Sequence, residues 1–170
     1  MNSKLLTDII TSPDSNNTIT KSDLKKVFLR FIPMEFTWNY ERQMSLGYCY
    51  AILPVLKKIY KNDPEKLRDA MVRHMEFYNT TPFVITFPLG ITAAQELENA
   101  TNPDFDVDQI ATVKTAMMGP LAGIGDSFFW GTLRVLGTGI GTSLAIQGNF
   151  LGVILYLLIF NVPHFLMRYA

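Results

Sequence analysis

The chain has 170 residues, 48% of them apolar, and its 15 lysines and arginines balance its 15 aspartates and glutamates. This length is enough for one domain with a sizeable core. The balanced charge argues against a nucleic-acid partner, because such a partner requires an excess of basic residues on one surface. Cys49 is the only cysteine, so one chain cannot build a disulfide framework or a cysteine-based metal site. Its apolar neighbours favour an inert buried thiol.

The formal charges lie mainly in the first two thirds of the chain. After Lys114 only Asp126, Arg134 and Arg168 are charged. We therefore expect three regions: a polar leader at 1–19, a mostly cytoplasmic or interfacial helical region at 20–114, and a membrane-embedded region at 115–170. The leader is rich in Ser, Thr, Asn and Asp and contains no apolar signal-peptide run.

Two helix starts are marked in the second region. Thr20 begins a capping-box-like Thr-Lys-Ser-Asp, and apolar residues follow at helical spacing: Leu24, Val27, Phe28 and Phe31. The basic residues on the other faces fit either a helix lying on an anionic membrane surface or an ordinary surface helix. Asp63 as N-cap and Pro64 at the first helical position predict a further helix that ends at about Tyr78.

Two apolar runs in this region, 44–56 and 82–94, are shorter than the roughly 20 residues that cross a bilayer. We expect them to be buried or re-entrant. The acidic stretch from Glu96 to Asp108 contains Pro103 and predicts a loop.

The last third is rich in glycine and nearly free of charge. Small-residue spacings that allow helices to approach closely in lipid recur at Gly119/Gly123, Gly137/Gly141 and Gly148/Gly152. The run 149–167 is long enough to cross a membrane. We expect two passes, or one pass and a re-entrant hairpin, with the basic N-terminal region in the cytoplasm. The predicted fold class is an all-α membrane protein, with amphipathic cytoplasmic or interfacial helices before Gly-rich transmembrane or re-entrant helices.

Asp126 and Arg134 are the main candidates for a functional role. An ionised group in hydrocarbon costs several kcal/mol, so such groups usually pair or line a polar pathway. Eight residues are about two helical turns, so the two side chains can share a face. They fit a solute pathway or gate, and equally an ion pair that fixes helix packing. Trp130, with Phe128 and Phe129, can stack on a sugar face, and can equally pack between helices or sit at the membrane interface.

Gly123-Ile124-Gly125-Asp126 also matches the signature of intramembrane aspartyl proteases. That chemistry needs a second carboxylate to share a proton, and none follows Lys114. We expect His74 to be solvated and His164 to be a packing residue, and two distant histidines cannot form a structural metal site. The sequence therefore predicts no catalytic residue, metal site or cofactor.

Three blocks of sequence resemble one known family. They are Phe36-Thr-Trp-Asn-Tyr-Glu-Arg-Gln43, Arg73-His-Met-Glu-Phe-Tyr-Asn-Thr-Thr-Pro82 and Met118-Gly-Pro-Leu-Ala-Gly-Ile-Gly-Asp-Ser-Phe-Phe-Trp-Gly-Thr132, with Arg134 beyond. The chain resembles the IID subunit of the mannose/fructose/sorbose family of bacterial phosphotransferase systems from about Thr20 to its end.

The resemblance implies a subunit that pairs with a IIC membrane subunit in an oligomeric complex. Cytoplasmic IIA and IIB proteins would pass a phosphoryl group to the incoming hexose, and IID itself would carry no phosphorylated residue. It would be a multi-pass protein of the bacterial cytoplasmic membrane that shapes the sugar pathway and offers IIB a docking face. The candidate pathway or interface residues are Asp126, Arg134, Trp130 and Ser127 from the third block, and Trp38, Asn39, Glu41, Arg42 and Gln43 from the first.

Members of this family usually continue well past the length of this chain. We therefore expect a chain that is C-terminally truncated relative to the family. The alternative function is a structural or docking subunit that does not transport, and the intramembrane protease is the least favoured.

Overall fold

The computed structural model describes residues 18–169, so the predicted leader lies outside the described part except for its last two residues. The described residues form helices with short connections, and no β-strand occurs among them. This confirms the predicted all-α class. The helices are α1 Lys21–Phe31, α2 Ser45–Ile59, α3 Pro64–His74, α4 Thr86–Thr101, α5 Asp108–Asp126, α6 Arg134–Ile146 and α7 Leu151–Tyr169, with 3₁₀ helices at Ile32–Thr37 and Pro82–Val84 and a π-helix at Ser127–Leu133.

The chain divides into two compact units. Of the described residues, 18–79 and 87–118 belong to the first unit, and 80–86 and 119–169 belong to the second.

Both predicted helix starts are present in the first unit. The Thr20 hydroxyl accepts a hydrogen bond from the Asp23 amide, and the Asp23 carboxylate accepts one from the Thr20 amide at 3.0 Å. Asp63 accepts from the Lys66 amide at 2.9 Å, with Pro64 directly after it. Helix α3 ends at His74, earlier than the predicted Tyr78.

The predicted loop from Glu96 to Asp108 is wrong in its first part, because α4 continues to Thr101. Leu89, Ala93, Glu96 and Leu97 are all buried and lie at helical spacing, so one face of α4 belongs to the core. The helix ends just before Pro103, as expected for a proline that cannot continue it.

The core of the first unit is centred on α2, against which α1 and α3 pack. Tyr48, Ile52 and Leu56 are fully buried on α2, and Cys49 is buried as predicted. Gly47 lies so close to the first 3₁₀ helix that an added Cβ would be 2.6 Å from Cγ of Met34. A side chain at this position would therefore push the two helices apart.

Helices α6 and α7 form a hairpin in the second unit. Gly148, with φ +71°, follows α6, and the amides of Gly148 and Asn149 donate to the carbonyls of Ala145 and Leu144. These two bonds form a Schellman motif, which satisfies carbonyls that the helix end leaves free. Gly141 and Gly152 face each other across the hairpin, and an added Cβ on Gly141 would lie 3.1 Å from the Gly152 oxygen.

One helix in the described part of the chain is long and apolar enough to cross a membrane, Leu151–Arg168, and only 11% of it is buried. Its exposed surface is aliphatic and aromatic, which is unfavourable in water.

Candidate functional site

Asp126 is held by a residue that lies 45 positions earlier in the chain. The Thr81 hydroxyl lies 2.6 Å from Oδ1 of Asp126 and 3.2 Å from the carbonyl oxygen of Ala122, one turn earlier on α5. Gly125 allows this approach, because a Cβ there would lie 2.5 Å from Cβ of Thr81. Asp126 itself is exposed. The structure thus fixes one carboxylate oxygen of Asp126 on the surface of the second unit.

The chain widens into a π-helix directly after Asp126. The Arg134 amide donates to the Phe129 carbonyl, five residues earlier, and the Thr132 hydroxyl donates to the Ser127 carbonyl at 3.0 Å. Single π-turns within α-helices occur frequently at functional sites. The Ser127 hydroxyl donates to the Gly123 carbonyl at 2.7 Å.

Arg134 does not form an ion pair with Asp126 among the described residues. Its guanidinium instead lies 5.2 Å from the centre of the Trp130 ring, a cation–π distance. Four residues separate these two side chains, so they are neighbours on one helical face. The structure therefore gives Asp126 and Arg134 separate partners, Thr81 and Trp130.

Aromatic rings pack beside this segment in the second unit. Phe83 lies 4.3 Å from the ring centre of Phe129 and 5.6 Å from that of Trp130. His164 also lies 4.3 Å from Phe83, which agrees with the packing role expected for it. Phe129 is fully buried, so it packs and cannot stack on a ligand. Trp130 remains 39% exposed.

Asp126 is the only acidic residue in the second unit. An aspartyl protease needs two carboxylates that share a proton. The unit that carries the Gly-x-Gly-Asp sequence therefore does not supply the second group for that chemistry.

The first family block forms a tight loop in the first unit. Asn39 and Gln43 exchange two backbone hydrogen bonds, and Gln43 also forms a bridge with Tyr78 in the second block. Gln43 has φ +56°, a conformation that is uncommon for residues other than glycine. The Arg42 guanidinium donates to the Met75 carbonyl at 3.2 Å. The loop is thus fixed to the second block by main-chain and side-chain bonds.

The same loop presents aromatic rings to its surroundings. Tyr40 is 89% exposed, and the Trp38 ring packs edge-on against it with centroids 4.9 Å apart. Phe36, in the 3₁₀ helix directly before the loop, is 91% exposed. Glu41 is exposed beside them. Exposed aromatic side chains in a rigid loop are typical of surfaces that bind a partner.

A buried charge cluster in the first unit was missed by the sequence reasoning. Glu96 is fully buried and receives two hydrogen bonds from the Arg73 guanidinium, both at 3.0 Å. Nε2 of His74 lies 2.8 Å from Glu96, and the Tyr60 hydroxyl donates to it at 2.7 Å. His74 is itself fully buried, so its expected solvation is wrong.

Lys114 completes this cluster. Its ammonium donates to the carbonyls of Arg73 and His74, both at 3.3 Å, and lies 4.9 Å above the Tyr48 ring. These carbonyls belong to the last turn of α3, where a cation is favoured.

Burial and pairing determine the protonation of these groups. Burial raises the pKa of Glu96, but the hydrogen bond with His74 and the positive charge of Arg73 outweigh it and hold that pKa below its usual value. Burial lowers the pKa of His74 despite the Glu96 hydrogen bond, which acts in the opposite direction. Burial also lowers the pKa of Lys114 to about 8.

The sequence contains a signal that Glu96 is buried. It lies at helical spacing from Leu89 and Ala93, so it falls on the apolar face of α4. No comparable signal marked Thr81 or Lys114, because their partners lie about 40 residues away in the chain.

Comparison with known proteins identifies the relatives of this chain. The sequence model of one protein family, the mannose/fructose/sorbose family IID component of the phosphotransferase system, matches residues 18–170. The chain is similar to the mannose-specific EIID component of Escherichia coli K12, with 38% identity over 94% of this chain and 56% of that protein. It is 40% identical to the sorbose-specific EIID component of Klebsiella pneumoniae, over 89% of this chain and 55% of that protein.

The fold is similar to solved structures as well. A chain from the cryo-electron-microscopy structure of the mannose transporter ManYZ in complex with microcin E492 superimposes with a TM-score of 0.85 and 38% identity. The match covers 90% of this chain and 56% of that one. A structure described as a membrane protein gives a TM-score of 0.80 over 88% of this chain and 55% of that one.

This chain spans about half the length of the curated relatives that it matches. The family match nevertheless covers the described residues of both units, including Asp126, the loop of the first family block and the buried charge cluster. The chain therefore belongs to the IID component family of the mannose/fructose/sorbose phosphotransferase systems.

Proposed function

We propose that this chain acts as a IID membrane subunit that pairs with a IIC subunit and helps to translocate a hexose, which cytoplasmic IIA and IIB proteins phosphorylate during uptake. The observation that carries the proposal is the exposed carboxylate of Asp126 on the largely apolar second unit, where Thr81 holds one of its oxygen atoms. Asp126 lies in the part of the chain that the family model matches. A charged group in such surroundings is usually part of a polar pathway.

Asp126 and the Arg134–Trp130 pair supply complementary chemistry for a sugar. A carboxylate accepts hydrogen bonds from hydroxyl groups, and one oxygen of Asp126 is already fixed by Thr81. Trp130 presents a partly exposed ring whose other contacts are Arg134 and neighbouring aromatic rings. Ser127 lies next to Asp126, although its hydroxyl is occupied by a backbone carbonyl.

The loop Trp38–Gln43 would serve as a contact surface for a partner protein, either IIC or IIB. Its exposed rings and its fixed backbone support this role, because rigid aromatic side chains lose little entropy on binding. In this assignment the first unit, in which lysines and arginines cluster between Lys21 and Arg73, faces the cytoplasm of a multi-pass protein in the bacterial inner membrane.

The proposal is tested by co-expressing the chain with a IIC protein encoded beside it, and extracting both in mild detergent. Labelled-hexose uptake is then measured with IIA and IIB present, in cells carrying the wild type, Asp126→Asn or the control Asp69→Asn. Asp69 is an exposed carboxylate on α3 that lies outside the proposed pathway.

We expect a stable complex whose uptake falls in Asp126→Asn and is unchanged in Asp69→Asn. A complex that transports equally well with Asp126→Asn would remove Asp126 from the pathway. A complex that forms without any uptake would favour the non-transporting docking subunit. A failure of the two proteins to associate would overturn the proposed function.

A further inference from the structure

We propose that Thr81 is a positioning residue for Asp126, and that Gly125 is a glycine because this contact requires it. The inference rests on the proposed function, in which Asp126 lies on the sugar pathway. It adds a residue from a different family block to that site, and it predicts how the carboxylate is oriented.

The Thr81 backbone is fixed by its neighbour. Thr81 has φ −66° and ψ +122°, the extended conformation that a following proline imposes, and Pro82 is that proline. The side chain is β-branched and only 1% exposed, so its χ1 rotamer is restricted as well. The hydroxyl therefore points in a direction that is set before any ligand binds.

The Thr81 hydroxyl carries one proton, and two acceptor oxygen atoms lie within hydrogen-bond distance of it. The Asp126 carboxylate lies 2.6 Å away and the Ala122 carbonyl 3.2 Å away. The carboxylate is closer and negatively charged, and hydrogen bonds to charged acceptors are shorter and stronger. Thr81 thus donates to Oδ1, which leaves Oδ2 of Asp126 for other partners.

Gly125 is the one glycine of the Gly-x-Gly-Asp sequence that this contact needs. An added Cβ at Gly125 would lie 2.5 Å from both Cβ and Oγ1 of Thr81. An added Cβ at Gly123 would meet nothing within 4 Å among the described residues. The two glycines of the signature therefore differ in their structural roles.

Infrared difference spectroscopy tests the contact without relying on transport. Subtracting the spectrum of Asp126→Ala from that of the purified wild type isolates the carboxylate band of Asp126. Subtracting the spectrum of the double variant Thr81→Val/Asp126→Ala from that of Thr81→Val isolates the same band in the absence of the Thr81 hydroxyl. We expect the band to shift between these two differences. Thr142→Val, which deletes an exposed hydroxyl of α6, should leave it in place. An unshifted band in Thr81→Val would overturn the inference.

Gly125→Ala provides a second test if Thr81→Val does not fold. It keeps the hydroxyl but displaces it, so the Asp126 band should shift, whereas Gly123→Ala should leave the band unchanged. A shift in Gly123→Ala equal to that in Gly125→Ala would contradict the assignment.

Uptake by the complex with IIC tests the functional side. We expect Thr81→Val to reduce hexose uptake about tenfold, the usual effect of losing a hydrogen bond to a charged group, and Thr81→Ser to retain most of it. Loss of uptake in both variants would assign Thr81 a packing role and overturn the positioning role. If the infrared band shifts in Thr81→Val but the wild-type complex does not transport hexose, the contact is established and the proposed function is contradicted.

Discussion

Glu96 occupies a fully buried position at which an unpaired carboxylate is strongly unfavourable. Its four hydrogen bonds come from Arg73, His74 and Tyr60, which lie on α3 and just after α2. Each of these donors would lose its own partner if the carboxylate were removed. The cluster therefore holds α4 to the rest of the first unit only while it is complete.

Replacing Glu96 with Gln should lower the free energy of unfolding by about 3 kcal/mol, because the Arg73 charge would remain buried without a counter-ion. The control is Glu98→Gln, an exposed position on the same helix, which should change stability by less than about 0.5 kcal/mol. Thermal unfolding of the detergent-purified protein measures both. Equal melting temperatures for the two variants would contradict a stabilising role for the cluster.

Lys114 should make stability depend on pH. Its folded pKa of about 8 is below its ordinary value of 10.5, so the unfolded chain binds more protons between these values. Stability therefore rises as the pH increases from about 8 to 10. The largest possible gain is roughly 3 kcal/mol, from 1.36 kcal/mol per pKa unit.

The measurement is the melting temperature between pH 7 and 10 for the wild type, Lys114→Met and the exposed control Lys66→Met. The rise in melting temperature with pH should vanish in Lys114→Met and persist in Lys66→Met. The charged or titratable groups near Lys114 are Glu76, Cys49 and Arg73, with the rings of Tyr48 and Tyr78. Burial raises the pKa of Cys49 from 9.0, so the thiol opposes the rise from about pH 9 upward. Burial also raises the pKa values of Tyr48, Tyr60 and Tyr78, so their titration opposes the rise only toward the upper end of this range.

Local residue patterns predicted the starts of the helices better than their ends. The Thr20 and Asp63 caps are formed by residues three positions apart, so they are visible in the sequence. The end of α3 at His74 is stabilised by Lys114, 40 residues later, and no local pattern contains that information. The same reason explains why local patterns predict a loop from Glu96 onward: its partners Arg73 and His74 lie 23 and 22 residues earlier in the chain.

The loop Trp38–Gln43 stores strain at Gln43, whose φ is +56°. A left-handed conformation costs a residue with a Cβ roughly 1–2 kcal/mol. We expect Gln43→Val to destabilise the protein, since β-branched residues tolerate positive φ least, and Gln43→Gly to be neutral or stabilising by up to about 1 kcal/mol. Chemical denaturation of the three proteins gives this order directly, and a Val variant as stable as the Gly variant would refute the strain.

The α6–α7 hairpin depends on small residues at the point where its helices are closest. Gly152→Ala should separate the helices and lower stability by about 1–3 kcal/mol, as overpacking usually does. Gly139 lies on the same hairpin with nothing within 4 Å of an added Cβ, so Gly139→Ala is the matched control and should be tolerated. Thermal unfolding and the yield of monodisperse protein in detergent report both effects.

The arrangement of the second unit implies that α7 lies in an apolar environment. Leu158 is near its middle and about half exposed. Leu158→Arg should weaken membrane insertion by about 2.5–3.5 kcal/mol, whereas Gln147→Arg at the hairpin turn should have little effect. The fraction of each variant that resists carbonate extraction from membranes measures this, and equal fractions would place α7 outside the bilayer.

The helical class, the apolar last helix and the family blocks could all be predicted from the sequence, because they rest on composition, periodicity and motif. The separate partners of Asp126 and Arg134 could not. Eight positions are about two helical turns, a spacing that allows Asp126 and Arg134 to share a face but does not require them to pair. Thr81, the actual partner of Asp126, belongs to a different family block.

The π-helix at Ser127–Leu133 also marks a place where the chain length can change at little cost to the site. Deleting one residue from this segment would let it relax into a regular α-helix without loss of helicity. Because a π-turn holds one residue more than an α-turn, Arg134 and the later residues would then keep nearly their orientation to Asp126. The same deletion within a regular α-helix would turn every later residue by about 100°. Single-codon deletions that spare the buried Phe129 should therefore be better tolerated in this segment than in the α-helices on either side of it.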